Sequence, residues 1–189
     1  MSAHLSGTTV LVAGATGVLG REVAHLLGER GFRVRSFSRD PARAAVFAAE
    51  HQIPVAASDY AALLDLPEVD VVYNALPPAM HRDWTIAALE RGKAVLCEKP
   101  FAMNAAEAEA MAAAARGTGG LLVEAYHYRH HRVMHDAVAL MRSGRLGAPV
   151  RAEARFEVPI ARTETELRWQ GRLGGGALMD LGCYPLHAL

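Results

Sequence analysis

Cysteine is nearly absent from these 189 residues: there are two, Cys97 and Cys183. That excludes a small disulfide scaffold, and the pair reads as thiols in a reduced, cytoplasmic setting. An excess of either charge is missing as well, since 20 Lys and Arg balance 20 Asp and Glu. No broad field for nucleic acid or an anionic membrane is expected, so any anion site must be local. Apolar runs stay well short of the roughly 20 residues that span a bilayer. Met1-Ser2-Ala3-His4 lacks the basic start and apolar core of a secretory leader. Internal repeats and long linkers are lacking too, and the one low-complexity tract is the alanine-rich stretch 105–115.

What is there alternates. Short β-rich runs at 8–13, 33–37, 53–57, 69–74, 93–97 and 120–125 are separated by helical patterns at 18–30, 41–50, 59–65, 79–91 and 104–116. Asp40, Asp59 and Asn104 stand at N-cap positions, and Pro41 at a first helical position. Six strands with right-handed crossovers predict an α/β fold, a Rossmann-type doubly wound parallel sheet, over 1–125. After Ala125 the texture changes to a segment rich in His and Arg, a helix at 133–143, one long strand at 148–160 and a glycine-rich lead into a helix over 174–189. We read 126–189 as the beginning of an α+β second domain. One strand and a helix cannot bury a sheet face, so that domain is expected to be incomplete as written.

The first strand runs into Gly14-Ala15-Thr16-Gly17-Val18-Leu19-Gly20, and a helical pattern follows. Strand, G-x-x-G-x-x-G turn and helix, in that order, are what a phosphate-binding βα unit requires. Gly14, Thr16, Gly17, Val18 and Leu19 are the candidate contacts to a dinucleotide. The bland alternative is a glycine turn that only packs a helix on a strand. At the end of the second strand stands Ser36-Phe37-Ser38-Arg39-Asp40. No acid occupies the ribose position, whereas Ser38 and Arg39 offer a hydroxyl and a guanidinium to a 2′-phosphate, which favours NADP over NAD. The other reading has Arg39 solvated and Asp40 on the ribose. The fourth strand ends in Asn74-Ala75-Leu76-Pro77, and His81 opens the next helix. Residues beyond the carboxyl ends of parallel strands line the ligand crevice, which makes Asn74, Leu76 and Pro77 neighbours of the cofactor. His81 is either another such neighbour or an ordinary helix-surface histidine.

The fifth strand ends in Glu98-Lys99-Pro100, and this lysine lies where a dinucleotide fold holds its nicotinamide. Pro100 biases Lys99 to an extended conformation that aims its side chain out of the strand end. Glu98 is a partner for backbone or ribose groups, or a loop carboxylate. His127, His130, His131 and His135 invite a metal reading, because three of them would align on a helix. The run starts at a strand end with no cysteine nearby, and no metal is expected there.

Asn74-Ala75-Leu76-Pro77, Ala94-Val95-Leu96-Cys97-Glu98-Lys99-Pro100, Glu124-Ala125-Tyr126-His127-Tyr128-Arg129 and the block from Gly174-Gly175-Gly176 through Asp180 to Tyr184-Pro185 together resemble the glucose-fructose oxidoreductase, inositol dehydrogenase and MocA family (Gfo/Idh/MocA). Within it, the chain looks most like the dihydrodiol dehydrogenase and D-xylose dehydrogenase branch. The resemblance implies NADP, a sugar or cyclic diol as substrate, and a homo-oligomer built through the second domain. It also implies a catalytic set at Lys99, Asp180 and Tyr184, with Tyr126 to His131 part of the substrate rim. Tyr128, Arg129 and the pair Arg168-Trp169 read as sugar-facing, Trp169 able to stack on a pyranose face. Oxidising a carbinol needs a base on its hydroxyl, and a tyrosine of pKa ~10 serves only beside a cation. Lys99 and the oxidised nicotinamide would supply that charge, with Tyr184 as proton acceptor, Lys99 as donor to the substrate oxygen and Asp180 orienting Lys99 and the sugar. For Tyr184 the bland alternative is helix packing, and for Asp180 a cap or a solvated acid. The glycine turn is of a type more usual in short-chain and NmrA-like proteins, and the family's second domain normally runs longer. Two other readings follow: a catalytically silent nucleotide-binding sensor, or an inactive fragment of a longer dehydrogenase.

Overall fold

In the computed structural model, which describes residues 7–37, 41–51, 53, 56–57 and 59–189, the first apolar run is strand β1 (Thr9–Ala13), buried along its whole length. Successive side chains point to opposite faces. Leu11 and Ala13 therefore join one core, and Val10 and Val12 the other. A strand apolar on both faces belongs in the middle of a parallel sheet. It lies there, between β2 (Arg33–Phe37) and β4 (Val71–Asn74), with Val10 in register with both Val34 and Val71.

Strands β3 (Ala56–Ala57), β5 (Ala94–Cys97) and β6 (Leu122–Glu124) complete a six-stranded parallel sheet in the order β3-β2-β1-β4-β5-β6. The crossovers are α1 (Val18–Glu29), α2 (Pro41–Glu50), α3 (Tyr60–Leu64), α4 (His81–Glu90) and α5 (Ala105–Thr118). Leu63, Leu64, Leu89 and Met111 pack with Leu11, Val72 and Val95 on one face, while Ala24 and Phe47 pack with Val34 and Tyr73 on the other. This is the doubly wound α/β sheet the sequence predicts, and every strand falls inside its expected range. Asp59 caps α3, its carboxylate accepting from the Ala61 N–H at 2.9 Å. Asn104 caps α5 through the Glu107 N–H at 3.0 Å, and Glu107 reaches back to the Met103 N–H at 3.1 Å. Asp40, the third expected cap, lies outside the described residues.

The chain divides into two compact units, Met1–Glu124 and Ala125–Leu189. The second contains α6 (Arg132–Arg142), short 3₁₀ turns at Leu167–Trp169 and Gly171–Leu173, a π turn at Leu178–Gly182 and α7 (Cys183–Ala188). The long strand expected at 148–160 is absent: those residues form no ladder and are almost entirely exposed. The alternating pattern is real, and it survives as ion pairs two residues apart, Arg151 with Glu153 and Arg155 with Glu157. A strand also requires a neighbour to bond, and among the described residues of this unit none exists. No helix among the described residues is long and apolar enough to cross a membrane.

Candidate active site

Beyond Ala13 the chain turns at Gly14, whose φ of +86° lies in the left-handed region. A Cβ on Gly14 would come 2.8 Å from the Ala75 carbonyl oxygen just past β4, and one on Gly20 would come 2.3 Å from the Gly14 oxygen. Glycine is therefore sterically required at both: the first lets the turn pass the end of β4, and the last lets α1 close on the turn. The Gly17 N–H donates to the Gly14 carbonyl at 2.9 Å and closes the turn. Gly17 caps α1 without a side-chain acceptor, and the first helical turn carries no acid. Its leading N–H groups thus present partial positive charge to the crevice. A turn this tight, with uncapped N–H groups at the helix start, fits the pyrophosphate of a dinucleotide. Val18 and Leu19 are exposed at its edge. Thr16 lines a cleft of about 380 Å³ together with Arg21 and Val46, Phe47 and Glu50 of α2. Ser38 and Arg39, expected at the 2′-phosphate, lie outside the described residues.

The end of β4 differs from expectation. Asn74 is fully buried, and its amide donates to the Thr85 hydroxyl at 3.2 Å and the His81 carbonyl at 3.4 Å while its oxygen accepts from the Leu76 N–H at 3.4 Å. His81 is fully buried too, with Nδ1 3.0 Å from the Pro100 carbonyl oxygen and Nε2 2.8 Å from that of Leu76. The side chains of Asn74 and His81 are thus internal braces, not cofactor contacts and not a helix surface. They shape the turn that leaves Leu76 and Pro77 half-buried at the crevice.

Both partners of His81 are acceptors, so protonation would satisfy both nitrogens. Burial opposes the charge and prevails: the pKa is lowered from 6.5, against the raising effects of the backbone at Leu76, Pro100 and Phe101 and of the Glu98 carboxylate. A lowered folded-state pKa means that the unfolded chain takes the proton first as pH falls below 6.5. Stability should therefore climb with pH up to about 6.5 and level off above it. In His81→Gln, chemical denaturation followed across that range should show a flatter climb and a loss of about 2 kcal/mol at neutral pH, from carbonyls left unpaired. An unchanged profile would show that His81 is not the titrating brace.

At the end of β5 the Glu98 N–H donates to the Asn74 carbonyl at 3.0 Å. The Tyr73 hydroxyl donates to Glu98 Oε1 at 2.6 Å, and the Lys99 N–H to Glu98 Oε2 at 3.2 Å. The carboxylate of Glu98 is turned onto the protein as an anchor for the loop, whereas the sequence left it between a partner for backbone or ribose groups and a plain loop carboxylate. The Lys99–Pro100 peptide is cis. The Phe101 N–H donates to the Glu124 carboxylate at 3.0 Å, so the loop is held from β4, α4 and β6 at once. Beneath it the Cys97 thiol is buried and its pKa pushed up to about 12, mainly by desolvation. It is inert packing at neutral pH.

In the second unit Asp180 sits in the π turn and Tyr184 in α7. The π turn runs straight into α7, Gly182 and Cys183 both keeping helical dihedrals, so Pro185 lies within a continuous helical stretch just after its π turn. Tyr184 stands in an aromatic group, its ring 5.0 Å from Phe156, 5.7 Å from Tyr126, 5.8 Å from His127 and 5.9 Å from Tyr128. His187 stacks on Tyr126 at 3.9 Å and hydrogen-bonds the Tyr128 hydroxyl. Partial burial and then the charge of Arg129 lower the His187 pKa. Trp169 is half-exposed, with the Arg162 guanidinium 5.7 Å from its ring centre. Asp180 Oδ2 forms an ion pair with Arg168, 3.0 Å from its Nε. His131 caps α6 through the Val133 N–H. Among the described residues no group of three His, Cys, Asp or Glu side chains could hold a metal ion.

Sequence reasoning missed Tyr73, which reads as core because it occupies an inward strand position. It carries no local signal, because it gains its partner Glu98 across a long sequence separation.

A family model for oxidoreductases with an NAD-binding Rossmann fold matches residues 8–126, and the GFO/IDH/MocA C-terminal domain matches 134–189. A dTDP-3,4-didehydro-2,6-dideoxy-alpha-D-glucose 3-reductase of Saccharopolyspora spinosa is 42% identical over 80% of this chain and 45% of its own length. The D-xylose 1-dehydrogenase (NADP(+)) 2 of Haloferax volcanii is 40% identical over 80% of this chain and 46% of its own. The chain thus spans less than half the length of these relatives. A 3-ketoreductase from Actinomadura kijaniata, solved with NADP and TDP-benzene, superposes with a TM-score of 0.81 at 33% identity, covering 97% of this chain and 56% of that one. Since the glycine turn, the lysine loop and the aspartate block all fall within these matches, the chain belongs to the glucose-fructose oxidoreductase, inositol dehydrogenase and MocA family of oxidoreductases.

Proposed function

We propose that this chain carries the cofactor-binding and catalytic parts of an NADP-dependent oxidoreductase acting on a ring carbinol of a sugar or cyclic diol. One observation carries the reading: Glu98-Lys99-Pro100 is fastened by Tyr73, His81 and the Asn74 carbonyl at a strand end two positions from a glycine cradle that tolerates no Cβ. Its relatives' sugar and NADP chemistry supports it.

Bound in that cradle, the dinucleotide supplies the hydride acceptor. Gly14, Gly17 and the N–H groups of α1 hold its pyrophosphate, with Thr16, Val18, Leu19, Leu76 and Pro77 around it. Ser38 and Arg39 take the 2′-phosphate. Lys99 donates a hydrogen bond to the substrate oxygen and lends positive charge, Tyr184 accepts the hydroxyl proton, and Asp180 orients the reacting groups. Tyr128, Arg129 and Trp169 form the rim. We read 1–125 as the nucleotide domain and 126–189 as part of a substrate domain that also joins subunits, in a cytoplasmic enzyme.

NADP-dependent oxidation across a panel of aldopyranoses and dihydrodiols tests this, with turnover of at least one expected. Cofactor binding without turnover would favour a silent sensor, and no binding an inactive fragment. A charge-assisted contact to the 2′-phosphate predicts roughly 10- to 100-fold tighter binding of NADPH than NADH by calorimetry. Equal dissociation constants would overturn the cofactor assignment.

A further inference from the structure

The Gly-Gly-Gly block of the second unit has a job that its spacing does not reveal. Gly176 has φ +125°, in the region that favours glycine, and its N–H donates to the Arg168 carbonyl at 2.9 Å. The Gly176 carbonyl in turn accepts the Asp180 N–H at 2.9 Å. Arg168 Nε then lies 3.0 Å from Asp180 Oδ2 as an ion pair, which closes a ring of three contacts through Arg168, Gly176 and Asp180. Gly175 is what lets the two strands of this ring meet. A Cβ there would lie 2.5 Å from the Leu167 oxygen, 2.8 Å from the Arg168 oxygen and 2.8 Å from the Gln170 nitrogen.

Arg168 is fixed from its other side as well. Glu166 Oε1 accepts both its backbone N–H and its Nη1, each at 3.1 Å. The guanidinium therefore spans two carboxylates, one side-chain nitrogen on each. A planar fork can do this where a lysine ammonium, a single point of charge, could not hold both in one orientation. Asp180 is the more buried end, its side chain 16% exposed against 51% for Arg168. Its carboxylate is thus aimed by a cation whose backbone is locked to the start of Asp180's own helical turn.

We propose that Arg168 is the positioning residue of Asp180, and that Gly175 and Gly176 are glycines because the pair forms only when the loop and the helix start come this close. This rests on the reading of Asp180 as part of the active site. The role differs from the sugar-facing one that an exposed Arg-Trp pair suggests.

Two measurements on the full chain test it. The first reads the pair without reference to activity: by nitrogen-15 NMR, the Arg168 Nε–H resonance should stand apart from those of solvated arginines, and should move toward them in Asp180→Ala. An Nε–H indifferent to Asp180→Ala overturns the proposal whatever the enzyme does. The second reads its consequence. Misplacing a catalytic group by about 1 Å can cost 10²-fold, so Arg168→Ala should lower kcat roughly 10- to 100-fold with KM for NADP unchanged. Added guanidinium ion should restore part of kcat at a concentration where sodium chloride does not, and Arg168→Lys should recover less than guanidinium gives. Gly175→Ala, which breaks the loop itself, should lose activity that guanidinium cannot restore. An Nε–H resonance that responds to Asp180→Ala together with wild-type kcat in Arg168→Ala overturns the positioning role and leaves the proposed function standing. Wild-type turnover in Asp180→Ala, or no turnover by the unaltered chain on any substrate of the panel, removes the functional reading and the positioning role with it.

Discussion

On the proposed function, Tyr184→Phe should lower kcat for carbinol oxidation by roughly 10²- to 10⁴-fold while leaving the dissociation constant of NADPH within about twofold of the unaltered chain. The change removes one hydroxyl and keeps the ring that Phe156, Tyr126, His127 and Tyr128 surround. Packing is conserved, so a fall in rate reports the proton and not the fold. Proton transfer by a positioned group contributes that range of rate. Stopped-flow turnover and calorimetric binding on the same preparation separate the two effects. Undiminished turnover would pass the proton to another group, and the Tyr128–His187 pair, hydrogen-bonded beside Tyr184, is where the search would begin.

Gly20→Ala should weaken NADPH binding by about 100-fold or more and cost roughly 1–3 kcal/mol of stability. The new methyl would lie 2.3 Å from the Gly14 oxygen, 2.8 Å from its carbonyl carbon and 2.9 Å from the Ala15 Cα. All three are backbone atoms, so relief requires moving the turn that forms the cradle. Gly28→Ala provides the opposite control in the same helix. A Cβ at Gly28 meets nothing within 4 Å, and alanine should stabilise α1 by about 0.5–1 kcal/mol without touching cofactor affinity. Normal NADPH binding by Gly20→Ala would place the nucleotide somewhere other than this turn.

The strands were legible because β1 is apolar on both faces, a pattern that only a central parallel strand satisfies. Asp59 and Asn104 were legible as caps because capping is decided within three residues. What escaped depends on distant partners. The stretch 148–160 alternates as a strand should, yet no neighbour bonds it. Asn74 and His81 stand at the end of β4 and the start of α4, as read, and only the closure of the Pro100 loop over them makes them internal. Glu98 was ambiguous because its choice turns on Tyr73, 25 positions away. Arg168 read as sugar-facing beside Trp169, but its ion pair with Asp180 is built by two glycines whose role is steric.

The strand order carries a consequence for descent. Between β1 and β4 the winding of the sheet reverses, so the gap above their carboxyl ends is a product of chain routing and main-chain amides. No single side chain creates it, and loss of a reactive one would not close it. Lineages on this scaffold can therefore shed their chemistry in one mutational step and inherit an intact receptor for a dinucleotide, with redox sensing as a ready second career.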